Sequence, residues 1–257
     1  PSTKIQAIRD FVIDVMQTHP IDLARVYGIG HSQGAMTIYE LATMCSDIFA
    51  AVVPVAGYNK VTYQPELYDL SNILPNLQPV HVLALNGKID DTVYAEFTNQ
   101  QGERRGSNVG AEEYAELFMA DPTKEEDNKI VEPDKFVVSV GENYVREYKS
   151  VEYAWEGTVH RRTRYAIPAT NSNGEAATQN VDIVVAEYGT HALKAGPTGA
   201  RFGPNGIFAQ GYLADAGATY VSVFAATNIA MWLAAHPKIV PPMSVPTKAL
   251  QSLNTTW

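Results

Sequence analysis

The sequence has little that could cross-link it, a deficit of positive charge and no long apolar run. One cysteine in 257 residues excludes an internal disulfide framework, so stability must come from a hydrophobic core. With 19 Lys and Arg against 28 Asp and Glu, the net charge of −9 argues against binding to nucleic acid or anionic membranes. No segment approaches the roughly 20 apolar residues of a membrane span. What is present is an ordinary globular composition, long enough for one sizeable domain.

Short apolar segments alternate with helical patterns along most of the chain. Apolar residues spaced by three and four predict helices over Thr3–His19 and Gln33–Met44, and a last helix is predicted over Ala218–Ala235. Short apolar runs bounded by turn residues predict buried parallel strands. These runs are Arg25–Gly30, Ala51–Ala56, Val80–Leu85 and Val181–Ala186. Strands separated by helices predict an α/β domain, with a mostly parallel sheet and flanking helices.

Charge is unevenly distributed, and this divides the chain. Between Gln101 and Tyr165 lie 24 of the 47 charged residues, so we expect residues 101–179 to be a charged insertion outside the main sheet. It is either a lid beside the site or a solvated surface segment. Within it we expect a short helix and antiparallel strands, over Ala111–Met119, Lys135–Val140, Val151–Trp155 and Thr158–Ile167. The core is then residues 1–100 and 180–237, and 238–257 form an extended arm.

A serine is predicted to lie at a sharp junction between a strand and a helix. The segment Gly30-His31-Ser32-Gln33-Gly34 matches G-x-S-x-G, follows a strand and opens a helix, which is the context that this nucleophile motif requires. Glycines are expected at 30 and 34 because side chains there would collide. The N–H of Gln33, at the helix start, is expected to bind an oxyanion. The alternative is a turn whose serine only caps the helix.

A serine nucleophile needs a histidine base and a carboxylate that orients it. Where the serine lies in a G-x-S-x-G turn of an α/β sheet, the chain order is Ser, then Asp or Glu, then His, the last two after later strands. Asp90 and Asp91 follow the strand ending at Leu85, and His191 follows Val181–Ala186. His191 is therefore the expected base. Spacing alone leaves open which aspartate is the acid and which is a turn former.

Three further residues near strand ends are candidates for the substrate pocket, namely His31, Tyr58 and Tyr94. The sequence has no H-E-x-x-H, C-x-x-C, phosphate-loop or dinucleotide-binding motif. We therefore expect chemistry that uses no metal and no cofactor.

These motifs resemble those of α/β hydrolases and, more narrowly, of the polyhydroxybutyrate depolymerase and feruloyl esterase group of secreted microbial esterases. The similarity rests on Asp22–Met36, Ala50–Gly57, Asn86–Val93 and Tyr188–Ala192. The group carries its acid in a segment like H-G-T-x-D-x-x-V, which aligns Asp90 with that residue. The resemblance implies a serine esterase that forms an acyl-enzyme on a small or polymeric ester, such as a polyester or a hydroxycinnamoyl or aryl ester. It also implies an extracellular location.

Two other readings remain open: a peptidase or acyltransferase with the same triad, and a non-catalytic binding or structural module. In the α/β-hydrolase fold that the sequence resembles, the serine follows the fifth strand, and a second oxyanion donor comes from the loop after the third strand. Here 31 residues precede Ser32, enough for one helix and one strand. We expect an open outer edge on the strand containing Val26–Gly28. An N-terminal segment or a second chain is expected to complete the sheet, without which the chain is not a self-sufficient enzyme.

Overall fold

A five-stranded sheet organises the chain. The computed structural model describes residues 3–88, 90–118, 160–186, 191, 210–213, 218–221 and 226–240. In chain order the strands are β1 (Tyr27–His31), β2 (Ala51–Val55), β3 (His81–Gly87), β4 (Phe97–Thr98), β5 (Arg104–Arg105), β6 (His160–Thr170), β7 (Ala176–Ala186), β8 (Gln210–Leu213) and β9 (Ala218–Val221). The helices are α1 (Thr3–Thr18), α2 (Gln33–Met44), α3 (Lys60–Tyr63), α4 (Leu70–Ile73), α5 (Ser107–Glu116) and α6 (Ala226–Ala234). Single 3-10 turns cover Leu23–Arg25, Pro65–Leu67 and Leu74–Asn76.

The main sheet has the strand order β1-β2-β3-β7-β6. Strands β1, β2, β3 and β7 are parallel to one another, and β6 pairs antiparallel with β7. Two small antiparallel pairs, β4 with β5 and β8 with β9, lie apart from it. The prediction of an α/β fold with a mostly parallel sheet is confirmed. Parallel strands that follow one another in the chain bring their carboxyl ends to one edge of the sheet, where functional side chains of such folds collect.

Side chains of the parallel strands alternate between two apolar layers. On one face, Val52, Val82 and Ile183 pack with buried residues of α1, α2 and α5. On the other face, Val53 and Leu85 pack with buried residues of α6. Because both faces are covered, the central strands are apolar throughout; all seven residues of β3 are buried.

The charged segment is partly built into the core, which corrects the expectation for residues 101–179. Strand β6 and the start of β7 belong to the main sheet. Helix α5 buries Tyr114 completely beneath that sheet. Charge did not exclude β6, because Arg164 forms an ion pair with Asp182 on β7. The strands predicted over Lys135–Val140 and Val151–Trp155 lie outside the described residues, as do positions 241–257 of the predicted arm.

The start of the last helix was also wrongly predicted. Ala218–Val221 is strand β9, paired with β8, and the helix begins at Ala226. The β-branched and aromatic side chains at Thr219, Tyr220 and Val221 suit a strand. Apolar spacing alone did not distinguish the two structures.

Strand β1 lies at one edge of the described sheet. Its inner side pairs with β2 along its whole length, and no strand of the described residues pairs with its outer side. Ile29 on this strand is 55% exposed. Within the described part of the chain, no helix has both the length and the apolar character to cross a membrane.

Candidate active site

Ser32 lies in a strained turn between β1 and α2. Its φ of 56° and ψ of −119° fall in a region that residues other than glycine rarely adopt. Hydrogen bonds on both sides hold this conformation. The Ser32 N–H donates to the carbonyl of Val55 at 2.8 Å, and the Ser32 carbonyl accepts from the N–H groups of Ala35 and Met36 at 2.9 and 3.2 Å. Ser32 occupies the N-cap position of α2, but its side chain forms no capping hydrogen bond, so the alternative of a serine that only caps the helix is wrong.

This turn requires glycine at positions 30 and 57, and only Gly30 was predicted. A Cβ on Gly30 would lie 2.3 Å from the Gly34 carbonyl oxygen, so glycine is required there. Outside its chain neighbours and the backbone of its own helix, a Cβ on Gly34 would meet no described atom within 4 Å, so the predicted collision at that position is not found. Gly57, which follows β2, was missed. A Cβ there would lie 2.7 Å from the carbonyl oxygen of Ser32. Its signal in the sequence is only a glycine shortly after a strand.

Ser32, His191 and Asp90 form one continuous chain of hydrogen bonds. The hydroxyl oxygen of Ser32 lies 2.9 Å from Nε2 of His191, and Nδ1 of His191 lies 2.8 Å from Oδ2 of Asp90. A carboxylate oxygen can only accept, so Nδ1 carries the imidazole proton and Nε2 of the neutral ring accepts from the serine. This tautomer allows Nε2 to take a proton from Ser32.

The structure brings Asp90, and not Asp91, to the histidine. The Asp90 side chain is 1% exposed. Its Oδ1 accepts from the backbone N–H groups of Thr92 and Val93 at 2.8 and 2.7 Å, which leaves Oδ2 for His191. Asp91 is exposed, and its Oδ1 accepts from the Thr92 hydroxyl at 3.3 Å. The loop backbone therefore selects one of two adjacent carboxylates.

Gln33 is the first residue of the 12-residue helix α2. The N–H groups in the first turn of a helix have no acceptor within the helix, and the helix dipole favours negative charge there. The Gln33 N–H directly follows the serine, so it is available to an oxygen that develops charge after attack by Ser32.

His31 contacts His191, the histidine that faces Ser32. Its Nε2 lies 2.8 Å from the main-chain carbonyl oxygen of His191, and the two ring centroids are 4.7 Å apart. Burial lowers the pKa of His31, and the hydrogen bond to the His191 carbonyl opposes part of this effect.

The two tyrosines predicted near the substrate have other described contacts. Tyr58 packs against Tyr63 with ring centroids 4.5 Å apart and planes inclined by 41°, and burial raises the pKa of Tyr58. Tyr94 is 56% exposed, and its ring centroid lies 5.9 Å from that of Phe97. It directly follows Val93, whose N–H donates to Asp90. The structure thus places Tyr94 next to the loop that carries Asp90, without joining either tyrosine to Ser32 by a described contact.

Compared with known proteins, the chain matches no family model and no curated protein. In the described residues, no three His, Cys, Asp or Glu side chains are grouped as metal ligands would be. What the site offers is a hydroxyl aligned with a base, a carboxylate behind that base, and a helix N-terminus beside the hydroxyl.

Proposed function

We propose that the protein is a serine ester hydrolase that forms an acyl-enzyme on Ser32. The observation that carries this proposal is the chain of two hydrogen bonds from Ser32 through His191 to Asp90, at 2.9 and 2.8 Å. The strained backbone of Ser32 adds support, because such strain persists where surrounding structure maintains it and collects at functional sites. A serine that only capped a helix would need neither feature.

In the acylation step, the hydroxyl oxygen of Ser32 attacks the ester carbonyl carbon while Nε2 of His191 takes the hydroxyl proton. The carbonyl oxygen becomes an oxyanion, which the Gln33 N–H stabilises. The bond between the carbon and the alkoxy oxygen then breaks, and the His191 imidazolium gives its proton to the departing alcohol. Asp90 holds the imidazole in the required tautomer and stabilises the imidazolium.

In the deacylation step, water repeats the attack on the acyl-enzyme. His191 takes a proton from the water, and the new tetrahedral intermediate expels Ser32. The serine oxygen regains its proton from His191, and a carboxylic acid leaves. No oxidant, reductant or second substrate besides water enters this cycle.

The resemblance of the sequence to α/β hydrolases agrees with the position of this site, and we extend the proposal to that fold. Ser32 and Asp90 follow the carboxyl ends of β1 and β3, two parallel strands of the main sheet that have β2 between them. Among substrates, polyesters and hydroxycinnamoyl or aryl esters are those that the resemblance suggests.

Labelling with a fluorophosphonate tests the proposal directly, because this probe reacts covalently with an activated serine and needs no turnover. We expect one adduct on the folded chain, located at Ser32 by peptide mass spectrometry and absent from Ser32→Ala. Ser71→Ala is the matched control, since Ser71 is exposed and its hydroxyl donates to Asp69 at 2.6 Å. An unlabelled folded wild-type chain would exclude the proposed function.

Hydrolysis assays then address the substrate class. Short p-nitrophenyl esters, feruloyl esters and polyhydroxybutyrate are compared with a peptide p-nitroanilide as the competing class. Preference for the peptide substrate would replace the esterase proposal with a peptidase that uses the same three residues.

A further inference from the structure

His191 is held at three atoms, and one of these contacts does not belong to the triad. Its Nδ1 faces Asp90 and its Nε2 faces Ser32, while its main-chain carbonyl oxygen lies 2.8 Å from Nε2 of His31. A carbonyl oxygen can only accept a hydrogen bond, so Nε2 of His31 carries a proton and donates it. The imidazole ring of His31 also packs against that of His191, with centroids 4.7 Å apart and planes inclined by 44°.

We infer that His31 is a positioning residue that fixes the backbone of the base His191 relative to the nucleophile. This inference rests on the proposed function. His31 and Ser32 are consecutive residues, so the donor that holds the base and the hydroxyl that the base deprotonates belong to one dipeptide. The distance between Ser32 and His191 is therefore set locally, at the end of β1, and not only through Asp90.

The charge state of His31 suits this role. During each half-reaction His191 becomes an imidazolium, and a second positive charge at ring-contact distance would oppose that step. Burial lowers the pKa of His31, which favours the neutral ring. A neutral ring with its proton on Nε2 donates to the His191 carbonyl without adding charge. A lysine or arginine here would supply a donor but also a permanent charge.

Substitutions can separate the donor from the ring. The amide nitrogen of glutamine can reach the position of a histidine Nε2, so His31→Gln keeps a neutral donor. His31→Phe keeps an aromatic ring against His191 but loses the donor, and His31→Ala loses both. His19→Gln is the control for a histidine change away from the site, because His19 is exposed and contacts Thr18.

The experiment measures kcat and KM for a short p-nitrophenyl ester, together with the rate of Ser32 phosphonylation, in the full chain. We expect His31→Phe and His31→Ala to lose roughly 10- to 100-fold in kcat and in labelling rate, with KM within twofold, since a small misplacement of a catalytic group has this scale of effect. His31→Gln should recover most of the loss. Thermal unfolding of each variant verifies that it is folded.

A second readout does not depend on turnover. The Nδ1 proton of His191, deshielded by the Asp90 carboxylate, is followed by proton NMR and assigned by its absence from His191→Gln. It should remain visible in wild type and His31→Gln, and it should exchange away in His31→Phe and His31→Ala, in which the His191 carbonyl has lost its donor. Wild-type labelling rates and an intact Nδ1 signal in a folded His31→Phe would overturn the inference while leaving the esterase proposal standing. The expected NMR pattern in a chain that the phosphonate does not label would do the reverse.

Discussion

Nδ1 of His191 lies 2.8 Å from Oδ2 of Asp90, although 101 positions separate these residues in the chain. The adjacent residue Asp91 has the same side chain in opposite surroundings: it is exposed, whereas the Asp90 side chain is 1% exposed. Two backbone N–H groups hold Oδ1 of Asp90, so its second oxygen is presented to the imidazole. This pair of neighbouring aspartates provides its own control.

Asp90→Asn should lower kcat by about 10³- to 10⁴-fold, because an amide opposite Nδ1 permits the wrong imidazole tautomer and cannot stabilise the imidazolium. Asp91→Asn should stay within about twofold of wild type, since surface substitutions away from a site have little effect. Ester hydrolysis, or the rate of Ser32 phosphonylation where turnover is slow, measures both. Equal losses in the two variants would contradict the assignment of Asp90 as the acid.

The two glycines that flank Ser32 should respond oppositely to alanine. Gly30→Ala places a Cβ 2.3 Å from the Gly34 carbonyl oxygen, so the turn must open and both stability and labelling of Ser32 should fall. Gly34→Ala has open space in helix α2, where alanine is favoured over glycine by about 1 kcal/mol. Denaturant midpoints measure whether each substitution raises or lowers the stability. A stability loss in Gly34→Ala as large as that in Gly30→Ala would refute this account of the turn.

Local patterns predicted the elements of the core well, because those patterns are what the core requires. Helix α2 was predicted with its observed bounds, since its apolar spacing is the face that packs on β1 and β2. The strands β2 and β3 were predicted from apolar runs because both faces of a central parallel strand are covered. The same patterns singled out Ser32, Asp90 and His191, which the structure joins by hydrogen bonds, together with Asp91, which it does not join to them.

What the sequence left undecided depends on contacts between distant residues. The choice between Asp90 and Asp91 lies in a loop conformation that turns two N–H groups onto one carboxylate. The expected collision at Gly34 assumed symmetry about Ser32, whereas only Gly30 faces the chain as it returns in α2. The charges of β6 led to the wrong prediction that this segment lies outside the sheet. The partner of Arg164 is Asp182, which lies 18 residues away in the chain, on another strand.

Acid should destabilise the fold through His81. Its side chain is buried, its Nδ1 accepts from the Asn180 N–H at 3.0 Å, and burial, helped by the nearby His236, lowers its pKa from 6.5 to about 3. The His81 ring is therefore neutral in the folded state, and its protonation favours unfolding. The stabilisation is complete above about pH 6.5 and is lost as the pH falls towards 3, at up to roughly 1.4 kcal/mol per pH unit.

His81→Asn isolates this contribution, because the amide oxygen of asparagine can replace Nδ1 as acceptor and does not titrate. Unfolding free energies from urea titrations at pH 7, 5.5 and 4 should fall less steeply for this variant than for wild type. The exposed His19→Asn should retain the wild-type slope. An unchanged slope in His81→Asn would show that the loss of stability comes from other groups.

Asp182 is a buried charge with three close donors. It is fully buried in the core, and its two oxygens lie 2.7 Å from Nε and from an Nη of Arg164. The indole N–H of Trp232, on helix α6, also donates to it at 2.9 Å. The Asp182 carboxylate thus connects edge strand β6, strand β7 and helix α6.

Arg164→Leu should therefore cost roughly 3 kcal/mol of unfolding free energy, because it leaves the buried Asp182 carboxylate without its cation. Adding Asp182→Asn to that variant should restore part of the loss, since no unpaired charge is then buried while an acceptor for Trp232 remains. Arg104→Leu is the comparison: Arg104 is more than half exposed and pairs with Glu96 and Glu112, and surface pairs of this kind contribute at most about 1 kcal/mol each. Urea unfolding at pH 7 measures all three variants. A double variant less stable than Arg164→Leu alone would mean that the arginine acts through packing of its aliphatic stem rather than through the charge of Asp182.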